Sequence, residues 1–79
     1  MTDLSFEDRG ATWLMHSNTE AGAEWIKKYI PANAQTFGKA IVINHRYALS
    51  VIKLAINDGL VADIDGQVAR RVIEHRWMQ

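Results

Sequence analysis

Residues 17–31 read SNTEAGAEWIKKYIP, and the rest of the chain is parsed outward from them. Ser17 and Glu20 stand three apart, the spacing at which a hydroxyl and a carboxylate reciprocally satisfy orphan backbone N–H groups at a helix start. Ala21, Trp25, Ile26, Tyr29 and Ile30 then recur on one helical face. Lys27 and Lys28 fall toward the C-terminal end, where the helix dipole favours cations. Pro31 disfavours helical geometry at Ile30 and closes the element.

On the N-terminal side, Ala11 to His16 contains a threonine and a tryptophan and reads as a short strand. Residues 1–10 show no clear period, end at Gly10, and are read as an N-terminal arm. On the C-terminal side, a polar loop runs from Pro31 to Thr36. A β-branched apolar run follows, from Phe37 or Lys39 to Ile43. It is nearly continuous, the pattern of a strand covered on both faces. Asn44 can cap a second helix over His45–Asp58, with Tyr47, Ala48, Val51, Ile52, Ala55 and Ile56 as its apolar positions. Gly59 is its C-terminal stop, and Leu60 to Ile64 is a third strand candidate.

The last stretch has two readings. Asp65 can cap a helix bearing Val68, Ala69, Val72, Ile73 and Trp77, which is preferred because those positions fit helical spacing. Alternatively Asp65-Gly66 is a type I′ turn, and a returning strand pairs Asp63 with Val68. The expected architecture is an α/β or α+β single domain over residues 1–79. Its order is β-α-β-α-β with a terminal helix. A small three-stranded sheet, its helix-joined strands parallel, packs against two or three helices.

Composition fits a globular chain: 79 residues, 48% hydrophobic, 23% charged. A chain this short buries only about 60–65% of the surface its unfolded form exposes, so self-association into a homodimer would add stability. There is no cysteine, which excludes disulfides and cysteine-type zinc sites and fits a cytoplasmic location. The acidic, mixed start is not a signal peptide. The longest apolar run, Ala40-Ile41-Val42-Ile43, is far short of the roughly 20 residues of a membrane span.

Formal net charge is zero, but the charges lie in blocks. Residues 1–26 carry a net of −4, residues 27–56 a net of +5, residues 57–65 a net of −3 and residues 66–79 a net of +2. Such blocks neutralise one another in the fold or polarise a surface that steers a charged partner.

No motif carries chemistry. His16, His45 and His75 do not pair at helical spacing, so no metal-binding signature arises. Asp63, Asp65 and Glu74 mimic part of a calcium loop, but Val68 stands where that loop needs glycine. Phosphate loops and nucleophile elbows are absent. No catalytic residue, metal or cofactor is assigned. The candidate partner-binding residues are instead arginine–aromatic groups, because tryptophan, tyrosine and arginine dominate interface hot spots. They are Arg46 with Tyr47, and His75, Arg76 and Trp77 near the C-terminus; closing the core is the other reading of Trp77. Arg70 and Arg71, with His75 and Arg76, are what a DNA-recognition helix would present. Against that, Gly59 to Gly66 takes eight residues where a helix-turn-helix uses about three or four.

At Ala21-Gly22-Ala23-Glu24-Trp25-Ile26, Phe37-Gly38-Lys39-Ala40, Arg46-Tyr47 and Asn57-Asp58-Gly59-Leu60, the chain resembles small accessory proteins encoded by phages and prophages. The resemblance spans roughly residues 19–61 and carries no catalytic residue. It implies a non-enzymatic inhibitor or modulator of a host macromolecular complex, such as a CRISPR defence complex, acting in the host cytoplasm. Its partner would be a host protein or nucleoprotein complex. On that reading Asp3, Glu7, Asp8, Glu20 and Glu24 supply an acidic patch, although strongly acidic nucleic-acid mimics carry a net negative charge and this chain does not. The alternative is a DNA-binding regulator using the C-terminal basic segment.

Overall fold

The structure is a computed structural model that describes residues 2–68. Its elements are β1 (Leu4–Asp8), β2 (Thr12–Ser17), α1 (Glu20–Tyr29), β3 (Thr36–Phe37), β4 (Ala40–Asn44), α2 (His45–Asn57), β5 (Ala62–Ile64) and β6 (Gln67–Val68). The strands form one six-stranded mixed sheet in the order β3-β4-β2-β1-β5-β6. Among the described residues the domain is therefore α+β, with six strands and two helices rather than the expected three-stranded sheet.

The largest correction concerns residues 1–10. They are not an arm: Leu4–Asp8 is an inner strand, antiparallel to β2 and parallel to β5. Leu4 and Phe6 are 0% and 1% exposed, and both alternate with the half-buried Ser5 and Glu7. That alternation is the period of a half-covered strand, confined to five residues.

Helix-joined strands do run in the same direction, but none is the other's neighbour. β3 follows β2 through α1, and β4 inserts between them; β5 follows β4 through α2, and β2 and β1 insert between them. The hairpins β1–β2, β3–β4 and β5–β6 and the non-local pair β2–β4 are antiparallel, and β1–β5 is parallel.

Register assigns the faces, because directly paired residues point to the same side. Leu4, Phe6, Trp13, Met15, Ile43, Ala62 and Ile64 share one side. They form a single buried cluster with Trp25 of α1 and Ala48, Ile52 and Ala55 of α2. Both helices thus cover one face. The other face carries no described helix.

α1 begins later than the Ser17–Glu20 pattern indicates. Ser17 ends β2, and Thr19 is the N-cap, its hydroxyl accepting from the Gly22 N–H at 3.1 Å. α1 ends at Tyr29, and Ile30, its extended C-cap, precedes Pro31, as expected. α2 matches its expectation closely. Asn44 caps it, and past its C-cap the Gly59 and Leu60 N–H groups donate to the Ile56 and Ala55 carbonyls at 2.9 and 3.1 Å. That pair of bonds is the Schellman ending.

At residues 65–68 the preferred helix gives way to the hairpin. Asp65 and Gly66 have φ of +51° and +88°, both in the left-handed region that a type I′ turn requires. Val68 pairs with Asp63. Asp65 is held in this conformation from both sides: its N–H donates to the Phe6 carbonyl at 2.9 Å, and its carboxylate accepts from the Asp8 N–H at 3.3 Å. The rest of the expected terminal helix lies outside the described residues.

Candidate functional site

Arg46 and Tyr47 sit in the first turn of α2. Asn44, the last residue of β4, sets that turn: its side-chain oxygen accepts from the Arg46 N–H at 2.9 Å. The His45 N–H donates to the Ala11 carbonyl at 3.1 Å, which pins the helix start to the β1–β2 turn. From there Ala48, Ile52 and Ala55 are buried inward. Tyr47 is left outside that stripe and is 62% exposed, with His45 and Arg46 exposed beside it. The helical spacing that groups Tyr47 with the apolar positions thus does not bury it.

The electrostatics of this corner run against local preference. The N-terminal turn of a helix carries partial positive charge and favours acids. α2 has no acid in its first turn and places Arg46 there. The corner therefore projects positive potential and one aromatic ring from a helix anchored to the sheet.

The five acids proposed as a patch fall in two places. Asp3 lies just before one end of β1, and Glu7 and Asp8 lie at the other end. At about 3.3 Å per strand residue, that separates Asp3 from Asp8 by roughly 16 Å. Asp3 is built into the fold. Its carboxylate accepts from the Thr19 hydroxyl at 2.7 Å and from the Val61 N–H at 2.9 Å. Its own N–H donates to the Val61 carbonyl at 2.7 Å, and its carbonyl accepts from the Asn18 N–H at 2.9 Å. The Val61 N–H, and after it the Thr19 hydroxyl, hold the Asp3 carboxyl below the usual aspartate range. Glu20 lies in the first turn of α1 and Glu24 one turn on, both exposed. Glu7 pairs with Arg9 at 3.2 Å, and Asp8 accepts from the Gly10 N–H at 2.8 Å.

The helix-free face holds a constellation that sequence reasoning missed. Pairing sets His16 opposite Ser5 and Ser5 beside Asp63. With Glu7 and Asp65 they line a shallow depression of about 520 Å³. The Ser5 hydroxyl donates to Asp63 at 3.4 Å and accepts from the Asn18 side chain at 2.7 Å. This is not a Ser-His-Asp relay. There the imidazole stands between hydroxyl and carboxylate and takes the proton. Here serine occupies the middle position. Once residues 1–10 are read as an arm, nothing in the sequence points to this row, since Ser5 and Asp63 are 58 positions apart.

Arg70, Arg71, His75, Arg76 and Trp77 lie outside the described residues. Among the described residues, no group of three or more His, Asp or Glu side chains is placed to hold a metal ion. Nor is any helix among them long and apolar enough to cross a membrane. No family model, curated protein or solved structure matches the chain.

Proposed function

We propose that the chain is a non-enzymatic binding protein that modulates a macromolecular complex by docking the Arg46–Tyr47 corner onto an acidic surface of a protein or nucleoprotein partner. The observation that carries this reading is Tyr47, 62% exposed beside Arg46 on the Asn44-capped first turn of α2. A tyrosine and an arginine side by side, held by a capped helix, are the residue types that supply most interface energy at low ordering cost. The absence of an acid in that turn leaves the positive charge available to the partner. The phage-accessory resemblance names a class of target, a host defence complex; the corner's chemistry supports only that the target is acidic.

The test compares the intact protein with Arg46→Ala and Tyr47→Ala. Each substitution removes an exposed side chain, so melting temperature should stay within the shift expected for about 0.5 kcal/mol. A complex retained from host lysate by the immobilised protein should lose at least about 30-fold in affinity on either change, as for a hot-spot residue of about 2 kcal/mol. Retention unaffected by both substitutions overturns the proposal. So does salt-sensitive binding of duplex DNA as the protein's main interaction, since that is the regulator reading.

A further inference from the structure

We propose that Asp65-Gly66, one of two Asp-Gly pairs in the chain, is a site of spontaneous isoaspartate formation, and that the fold protects the other pair, Asp58-Gly59. The chemistry needs only the pair itself and water. The Gly66 backbone nitrogen attacks the side-chain carboxyl carbon of Asp65. A C–N bond forms, a C–O bond breaks, and the nitrogen's proton leaves with the carboxyl OH as water. The resulting cyclic imide then takes up water at either of its carbonyls. Addition at the side-chain carbonyl restores aspartate. Addition at the main-chain carbonyl breaks the original peptide bond and leaves the chain running through Cβ, with no net change in mass. Glycine obstructs the attack least, because it has no Cβ.

The two pairs offer the same groups and hold them differently. At Asp58 both reacting groups are tied. The carboxylate accepts from the Trp25 indole N–H at 2.9 Å, and Trp25 is buried in the core. The Gly59 N–H donates to the Ile56 carbonyl at 2.9 Å, and the Asp58 N–H to the Leu54 carbonyl at 3.0 Å. Ring closure there requires the end of α2 to unwind and the Trp25 indole on α1 to let go.

At Asp65 the constraints are few. Asp65, Gly66, Gln67 and Val68 are all exposed, and β6 is a two-residue strand at the edge of the sheet. The carboxylate's bond to the Asp8 N–H is long, at 3.3 Å. The Asp65 N–H keeps its bond to the Phe6 carbonyl, because the Gly66 nitrogen reaches the carboxyl carbon by rotation about the Asp65 Cα–C bond. Among the described residues Asp65 is also the one non-glycine with positive φ, a conformation that costs free energy in a residue bearing a Cβ. Leaving the turn relieves that cost. Opening a short exposed edge takes far less free energy than opening a packed helix end. After isomerisation the two-residue turn holds one more main-chain carbon. Gln67 then shifts off Ile64 and Val68 off Asp63, and the relocated carboxylate leaves the Asp8 N–H. The edge loosens beside the depression that Ser5, Glu7, His16 and Asp63 line. This inference is independent of the Arg46–Tyr47 reading.

The test holds the full-length protein at neutral pH and body temperature for several weeks, then digests it. Electron-transfer fragmentation of the peptides distinguishes isoaspartate from aspartate. Isoaspartate should accumulate at Asp65 at least about tenfold faster than at Asp58. The same chain unfolded in guanidinium supplies the intrinsic rates, and there the two residues should react alike. A folded-state ratio no larger than the unfolded chain's overturns the inference, as does faster reaction at Asp58. The isomerised fraction, once separated, gives a second readout by amide exchange. Its Asp8 and Gln67 amides should exchange at least about tenfold faster than in fresh protein, with those of α2 unchanged. Fresh-protein exchange at both would overturn the loosening of the edge.

Discussion

Replacing Gly22 by alanine should destabilise the protein, although the same change inside an ordinary helix stabilises it by about 1 kcal/mol. Gly22 lies on α1 where the helix crosses the start of β1. A Cβ added there would overlap the Asp3 carbonyl oxygen and stand 3.1 Å from its carbon and 3.2 Å from the Leu4 side chain. The overlapping atom is backbone, so no rotamer change relieves it. That carbonyl also accepts the Asn18 N–H at 2.9 Å, so moving it weakens a hydrogen bond. Overpacking costs about 1–3 kcal/mol, and a lost hydrogen bond about 1 kcal/mol more. After the helix-propensity gain, the expected net is roughly 1–3 kcal/mol of destabilisation. For a domain of this size, each kcal/mol lowers the melting temperature by about 4–8 °C. Ala23→Gly, at the exposed neighbouring position, isolates the propensity effect at about 1 kcal/mol. Thermal unfolding followed by circular dichroism reads both. A Gly22→Ala protein that melts at or above the wild-type temperature refutes the close approach of α1 to Asp3.

Other perturbations address other joints. The folded-state pKa of Asp3 is lowered, so its contribution to stability is present above the unfolded value of about 3.9 and disappears as pH falls through the folded value. Asp3→Asn should therefore lose stability at neutral pH and show a flatter decline in acid than wild type, read as urea midpoints across pH. The Trp25 indole N–H donates to Asp58 at 2.9 Å, joining α1 to the end of α2. Trp25→Phe should cost about 1–3 kcal/mol and Asp58→Asn, which keeps an acceptor, under about 1 kcal/mol; equal urea midpoints for the two would count against the bond. Gly66→Ala forces a Cβ into φ of +88° and should cost about 1 kcal/mol, with faster amide exchange confined to β5 and β6. Faster exchange in α2 instead would mean that the hairpin is not a local unit.

The elements read correctly from sequence are those whose causes lie within a few residues. Pro31 ends α1, and Asn44 and Gly59 bracket α2, because each acts on backbone groups one turn away. Even there, local chemistry was ambiguous where two residues offered the same group: Ser17 and Thr19 both carry a hydroxyl, and Asp3, just before β1, decides for Thr19 by accepting its hydroxyl. β1 was illegible for the opposite reason. Five residues, Leu4 to Asp8, make a weak pattern, and what makes them an inner strand is Ser17 through Trp13 on one side and Ala62 through Ile64 on the other. The Asp65-Gly66 dipeptide stood between these cases. Val68, Val72 and Trp77 satisfy a helical period, so the pattern of apolar residues did not choose. The choice lies with two left-handed residues, and Asp-Gly is the pair that tolerates them. The row of His16, Ser5 and Asp63 follows the same logic as β1. It exists only once β1 is placed between β2 and β5, so a candidate site on this sheet was hidden by an error about a strand, not about chemistry. Tyr47 shows that the reverse also holds. Its exposure contradicts the helical period that would bury it, and a local rule broken without a structural reason is where a binding role is best sought.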